Sequence, residues 1–224
     1  MDAVAENRNE VPFNKPKSVV ETVAEFLRES IVAGSLKPGE KINNRKIIER
    51  LGISSIPVRE AVRILEKEGL INSRPGRGSW VAGASRKDLE ETFEMREMIE
   101  IFAVDLIKER LKAGSGIKEK LESIPIDEEA ERLGPESCVS FHHHLIKMAE
   151  NSKLLYLYGI LSNNIRRYQR MSYTIRHDEE LCVEEHFDIL ESLTKGDYEG
   201  SKLAIKNHLK ELKDMLLEEV NFSE

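Results

Sequence analysis

The most informative segment of the chain is residues 51–61, which read LGISSIPVREA. Gly52 ends one apolar-periodic run, and the small polar residues Ser54 and Ser55 are suited to cap the next one. Pro57 fits the first turn of that second helix, because the backbone N–H groups there have no helical acceptor. The segment therefore predicts two short helices joined by a tight turn, the second of which opens with small polar residues.

The flanking segments extend this pattern. Apolar residues at helical spacing predict a first helix from Ser18 to about Gly34 and a second from about Asn44 to Leu51. Gly69 ends the third helix, and short strands are predicted at 70–73 and 79–81 around a turn rich in Gly and Pro. The beginning of the chain is therefore expected to hold three helices followed by a β-hairpin.

From Ser85 onward the pattern is helical, and no strand pattern follows Val81. Each predicted helix is long enough for an antiparallel bundle; the helices lie at 85–111, 136–150, 152–175, 179–195 and 198–220. The predicted fold class is mainly α, with an all-α bundle after the small N-terminal unit. The predicted divisions are a flexible arm at 1–17, a first domain at 18–84 and a helical domain at 85–224.

The charge of the chain is unevenly distributed around its formal net value of −7. Residues 1–84 hold 14 Lys and Arg against 11 Asp and Glu, whereas the rest carries a net charge of −10 and all 6 histidines. Such a division favours a module that binds a polyanion, joined to a module with different chemistry.

Composition also excludes several classes of protein. No apolar run approaches the roughly 18 residues that a membrane-spanning helix needs, and the N-terminal residues lack the continuous apolar stretch of a secretory signal. We therefore expect no membrane association and a cytoplasmic location. Because Cys138 and Cys182 are the only cysteines, the fold is not expected to depend on a disulfide framework.

The helix–turn–helix pattern indicates DNA binding. A second helix that opens with small polar residues has the geometry of a recognition helix in the major groove, where an arginine can donate two hydrogen bonds to guanine. Glycines in the hairpin loop allow close approach to a minor groove or its phosphates. The alternative for any single arginine is a solvated surface position. The residues expected to contact DNA are Arg45, Ser54, Ser55, Arg59, Arg77 and Gly78.

Three histidines are candidate metal ligands. His142, His186 and His208 lie on different predicted helices, each with apolar neighbours at helical spacing. If they converge, they provide the nitrogen donors that Zn²⁺, Ni²⁺ or a similar cation accepts. Cys138 precedes His142 by one helical turn, so its thiolate is a candidate fourth ligand. The alternative for each histidine is a core or surface imidazole without a metal.

Arg96 lies on the long predicted helix that begins near Ser85, and it is a candidate for binding an acidic ligand. A guanidinium facing the same cavity as the histidines would pair with a carboxylate. The alternative is an ion pair within the helix with Glu100, four residues further on.

Residues 18–82 resemble the winged helix-turn-helix domain of the GntR family of bacterial transcription regulators. The resemblance rests on 31–39 (IVAGSLKPG), on 51–61 and on the wing at 76–81. It implies that Arg45, Ser54, Ser55, Arg59 and the wing glycine contact operator DNA. Family members often carry Arg in place of Ser55, so a different operator sequence is expected here. Operators are usually read by two recognition helices about one helical turn apart, which implies a homodimer.

Residues 85–220 resemble the FCD effector-binding domain of the FadR subfamily. The matching pieces include Arg96-x-x-x-Glu100, Phe141-His142-x-x-Leu145, Glu185-His186-x-x-Ile189 and His208-Leu209. Many members bind a divalent metal through an Asp and three His, which the resemblance places at Cys138, His142, His186 and His208. Cysteine either shifts the preference towards softer metals such as Zn²⁺ or leaves three histidines as ligands. The resemblance also implies a small organic acid as effector.

The function predicted from these observations is a ligand-responsive transcription repressor. The alternatives are a metal-independent regulator, a regulator that senses the metal itself, and a metal-dependent hydrolase. The hydrolase is disfavoured because no general base is placed with the histidines: Glu185, next to His186, is expected to point elsewhere, and no His-Glu-x-x-His signature occurs. The chain is therefore predicted not to be an enzyme.

Overall fold

The computed structural model describes residues 17–114, 116–124, 126, 136–172 and 179–222. Except for Lys17, the predicted arm at 1–17 lies outside these residues. The elements are α1 (Val19–Val32), α2 (Asn44–Leu51), α3 (Ser55–Lys67), β1 (Ile71–Arg74), β2 (Gly78–Val81), α4 (Arg86–Lys112), α5 (Ile117–Glu122), α6 (Glu136–Met148), α7 (Ser152–Met171), α8 (Glu179–Lys195) and α9 (Tyr198–Glu219).

The N-terminal unit is the predicted winged helix-turn-helix. Ser18 caps α1 in a capping box with Glu21, which satisfies N–H groups at the start of that helix. Gly52 adopts a left-handed conformation with φ of 64°, so the chain turns sharply between α2 and α3 without a side-chain clash. The wing is an antiparallel hairpin in which Ile71 pairs with Val81.

A compact apolar core joins these elements. Helix α1 packs against α3, and α3 also contacts α2 and β1. The apolar stripe of α3 is fully buried in this core and consists of Val58, Ala61, Val62 and Leu65. Because the stripe occupies the inner face, the other face of α3 is left to solvent.

The second unit is an all-α bundle, as predicted. Helix α9 packs against α4 and α8, and α7 packs against α4 and α6. The predicted helix at 152–175 ends at Met171 in the structure, and residues 173–178 lie outside the described part of the chain. The bundle has an apolar core of its own, and in the described part of the chain the boundary between the two cores falls between Val81 and Ala84.

Candidate DNA-binding surface and metal centre

The start of α3 presents its side chains to solvent. Ser54 is the N-cap residue, yet its side chain makes no capping hydrogen bond, so its hydroxyl is available to a phosphate or a base edge. Ser55 and Arg59 are also exposed on this turn. Ile56 is 70% exposed at the same place and was not among the predicted contact residues. It lies off the buried stripe, which is the signal that marks it as a candidate for contact with a thymine methyl.

Arg45 and the wing flank the start of α3 in the chain. The Arg45 side chain is 89% exposed and pairs with Glu49 at 2.9 Å. Such a surface ion pair contributes little to folding stability, so Arg45 can readily exchange Glu49 for a phosphate. Arg77 and Gly78 are exposed at the tip of the hairpin. Gly78 has φ of 115° and a Cβ there would lie 3.0 Å from Lys41 Cε, so the shape of the wing requires glycine. We use the name DNA surface for the six predicted contact residues, which are Arg45, Ser54, Ser55, Arg59, Arg77 and Gly78.

The structure brings the three predicted histidines together. His142 lies on α6, His186 on α8 and His208 on α9, and each is at most 2% exposed. One ring nitrogen from each lies within 4.8 Å of the other two. The ring of Phe141 stacks on His186 at 4.1 Å and so helps to hold that imidazole in place. We call these three residues the histidine cluster.

Each imidazole of the histidine cluster has a polar neighbour outside it. Glu100 Oε2 lies 2.8 Å from His142 Nδ1, Glu185 Oε2 lies 2.6 Å from His208 Nδ1, and Cys182 Sγ lies 3.6 Å from His186 Nε2. Metal-binding histidines characteristically have such an outer partner, which sets the tautomer and the ring orientation.

The position of Glu185 corrects the sequence expectation. Glu185 was expected to point away from the histidines because its neighbour is His186, but it contacts His208 on the facing helix. Adjacent residues on a helix do point in different directions. The expectation was wrong because a different helix, α9, supplies the imidazole towards which Glu185 points.

Arg96 forms the ion pair that was considered as its alternative role. Arg96 and Glu100 are both fully buried, and Arg96 Nε donates to Glu100 Oε1 at 2.6 Å. Burial works to raise the pKa of Glu100, but the charges and hydrogen bonds of His142 and Arg96 outweigh it and hold the pKa at about 2. Glu100 is therefore an anion that links Arg96 to the histidine cluster. Contact of Arg96 with an effector stays a prediction.

The donor set fits a divalent cation. The Nε2 atom of His142 is buried and has no hydrogen-bond partner among the described residues, and a buried polar atom in that state costs free energy unless a ligand satisfies it. Three neutral imidazoles are the ligand type that Zn²⁺ and similar metals accept. The side chain of Cys138, the predicted fourth ligand, lies outside the described residues. Arg167 on α7 instead donates to the carbonyl oxygens of Ala82 and Gly83, in the segment between β2 and α4 that we call the linker.

Both units are similar to known protein families. The family model of the bacterial regulatory proteins of the gntR family matches residues 19–81, and the family model of the FCD domain matches residues 91–211. The chain is 31% identical to the HTH-type transcriptional regulator YdhC of Bacillus subtilis, over 81% of this chain and 84% of that protein. It is 26% identical to the HTH-type transcriptional repressor RspR of Escherichia coli K12, over 92% of each chain.

A solved structure shares the fold. The E. coli protein McbR/YncC superposes with a TM-score of 0.68 at 22% identity, over 90% of this chain and 98% of that one. Among the described residues, no helix is long and apolar enough to span a bilayer.

Proposed function

Because the chain belongs to the GntR family of bacterial regulatory proteins and carries an FCD domain, we propose that it is a transcription repressor controlled by a small organic acid bound at or near a divalent metal. Family members are transcription regulators, so the hydrolase alternative is dropped. Repression is proposed because a relative of matching length, RspR, is a repressor. The proposed partner is DNA, so we place the protein in the cytoplasm.

The proposed division of labour follows the two cores. Residues 18–84 would bind operator DNA through the DNA surface, and residues 85–224 would bind the effector and dimerise. Supporting this, the exposed positions at the start of α3 are polar or basic apart from Ile56, whereas the face towards α1 is apolar. Binding dominated by phosphate contacts should weaken steeply as salt increases.

A homodimer is proposed because one chain presents one recognition helix, whereas operators are usually read by two. Helix α4 carries an exposed apolar stripe at helical spacing, formed by Met95, Met98 and Phe102. A contiguous exposed apolar stripe is typical of an interaction site. We propose a second copy of the chain as its partner. Met98→Glu should then yield monomers in analytical ultracentrifugation, whereas Lys210→Glu, at an exposed position of α9, should leave the dimer intact.

The observation that carries the effector proposal is the buried histidine cluster with its outer carboxylates. When bound, a divalent cation, which we propose to be Zn²⁺ with Ni²⁺ or another transition metal as alternatives, would supply an open position for a carboxylate. His142, His186 and His208 would hold it, and Glu100 and Glu185 would orient two of those rings. Arg96 would keep Glu100 ionised, and Cys138 remains a proposed fourth ligand.

The test combines metal content with DNA binding. Purified protein is analysed for bound metal, and its affinity for its own promoter fragment and for a scrambled duplex is measured at moderate ionic strength. The measurement is repeated with a chelator and with a panel of organic acids. The proposal expects preference for the promoter, and a change of affinity by some acids only in the metal-loaded protein.

The other outcomes separate the remaining alternatives. If metal alone changes DNA affinity and no acid adds to it, the protein senses the metal, a role that the full burial of the histidine cluster also favours. If organic acids change DNA affinity equally with and without chelator, regulation is independent of metal. If the promoter fragment binds no better than the scrambled duplex under every condition, the proposed function is wrong.

A further inference from the structure

The last turns of α7 contact the DNA-binding unit directly. Asn164 lies three residues before Arg167 and four before Tyr168, so the two later residues flank the side of the helix on which Asn164 lies. All three are buried. Each makes hydrogen bonds to residues about 80 or more positions earlier in the chain. We call these three residues the α7 anchor.

Asn164 holds the end of the recognition helix. Its Nδ2 donates to the carbonyl oxygen of Glu68 at 2.8 Å, and Glu68 is the C-cap residue of α3. The carboxylate of Glu68 accepts two hydrogen bonds from Arg28 on α1, at 2.7 and 2.8 Å. Glu68 is therefore bonded both within its own unit and to the helical domain. A displacement of α7 would act on α3 through this residue.

Arg167 holds the linker between the two cores. Its Nη1 donates to the carbonyl oxygens of Ala82 at 3.1 Å and Gly83 at 2.8 Å. Its Nη2 lies 3.3 Å from Asp88 Oδ2 on the first turn of α4. The side chain is 2% exposed, and a buried guanidinium is tolerated only when such partners compensate its lost hydration. Because two of these partners are linker carbonyls, movement of the linker would leave both carbonyls and Nη1 of Arg167 without these hydrogen bonds.

Tyr168 forms hydrogen bonds with the start of α4. Its hydroxyl donates to Asp88 Oδ2 at 2.5 Å, and it lies 3.1 Å from the carbonyl oxygen of Ser85. Ser85 is the N-cap of α4, the helix to which the linker leads. Together the three residues of the α7 anchor bind the end of α3, the linker and the start of α4.

We propose that Asn164, Arg167 and Tyr168 are positioning residues for DNA recognition, which set the orientation of α3 relative to the helical domain. The inference rests on the proposed function, since in a homodimer this orientation determines the separation of the two recognition helices. Helix α7 packs against α6, which carries His142. Helix α7 therefore contacts both the helix that carries His142 and, through Asn164, the end of α3.

The experiment measures preference for half-site spacing. A half-site is selected from a random duplex library with the full-length wild-type chain, then presented once, or twice at separations that change one base pair at a time around one helical turn. Wild type is expected to show a sharp optimum. Arg167→Met should lower affinity at the optimum by roughly tenfold and flatten the spacing profile, while affinity for the single half-site stays unchanged. Asn164→Ala and Tyr168→Phe should do the same to a smaller extent.

Matched controls come from the same helix. Tyr158→Phe removes a hydroxyl from another buried tyrosine of α7, and Lys153→Ala removes a charge from its exposed first turn; both should keep the wild-type profile. If Arg167→Met does not fold, the milder Asn164→Ala and Tyr168→Phe variants carry the test. A single half-site affinity that falls in step with the paired site would instead indicate local damage to α3 and overturn the inference.

Failure of this inference is distinguishable from failure of the proposed function. If the wild-type chain selects no half-site at all, the proposed DNA-binding function fails. If it selects one but shows no spacing optimum, or if folded variants of the α7 anchor keep the wild-type optimum, DNA binding stands and only the positioning role is rejected.

Discussion

The DNA surface and the histidine cluster use polar residues in opposite environments. Arg45, with its side chain 89% exposed, represents the first, and His142, which is fully buried, represents the second. An exposed cation keeps its hydration until it meets a phosphate, so it requires no fixed partner. A buried imidazole requires partners supplied by the fold. The proposed DNA contacts therefore depend on surface charge, whereas the proposed metal site depends on accurate packing.

The largest expected effect comes from deleting a member of the histidine cluster. His186→Ala removes one of three nitrogen donors, so affinity for Zn²⁺ should fall by more than about 100-fold, beyond the usual cost of losing an outer partner. Calorimetric titration of metal-free protein measures this. His143→Ala, an exposed neighbour of His142, is the control and should bind Zn²⁺ like wild type. Equal loss in both variants would contradict a specific site.

Glu185 tests whether the outer partners matter. Glu185→Ala removes the carboxylate that lies 2.6 Å from His208 Nδ1, and affinity for Zn²⁺ should fall by about 10- to 100-fold. The adjacent exposed residue supplies the control, Glu184→Ala. The same titration checks both variants. An unchanged affinity for Zn²⁺ in Glu185→Ala would show that burial alone orients His208.

Arg59 tests the exposed side of the comparison. Arg59→Ala should weaken operator binding by roughly 5- to 100-fold and relax preference at one base pair, if the guanidinium contacts a base edge. Fluorescence anisotropy with the operator and with single-base variants measures both effects. Arg63→Ala, on the same helix and paired with Glu60 at 2.7 Å, should change affinity only slightly. Comparable losses in both would indicate a general charge effect.

The smallest expected effect is a shift in one tyrosine titration. Burial raises the pKa of Tyr168 to about 12, helped by its hydrogen bond to Asp88 and opposed by the charge of Arg167. Because the folded state holds this proton more tightly, the stability that it contributes is complete below pH about 10, the ordinary tyrosine pKa, and is lost between pH 10 and about 12.

Phenolate absorbance of wild type and Tyr168→Phe, titrated against pH, checks this shift. The two curves should coincide near pH 10 and differ only as the pH approaches about 12. A difference that already appears near pH 10 would place Tyr168 in solvent and weaken the contact between the units.

Local structure was predictable from the sequence. The bounds of α2, from Asn44 to Leu51, were predicted correctly, because a capping residue, an apolar period and a terminal glycine all act within a few residues of one another. The buried stripe of α3 follows from helical periodicity for the same reason. Convergence of the three histidines was expected only as one alternative, since periodicity places a residue on a helix face without stating what that face meets.

What the sequence alone determined is the order of the helices, the wing, the division of charge and the family to which the chain belongs. Tertiary structure alone decided that Glu185 meets His208, that Glu100 meets His142, and that Asn164 bonds to Glu68, 96 positions away. The physical reason is the distance along the chain over which each interaction acts. Caps and periodic apolar residues act between near neighbours, whereas these contacts exist only after helices far apart in the chain have packed together.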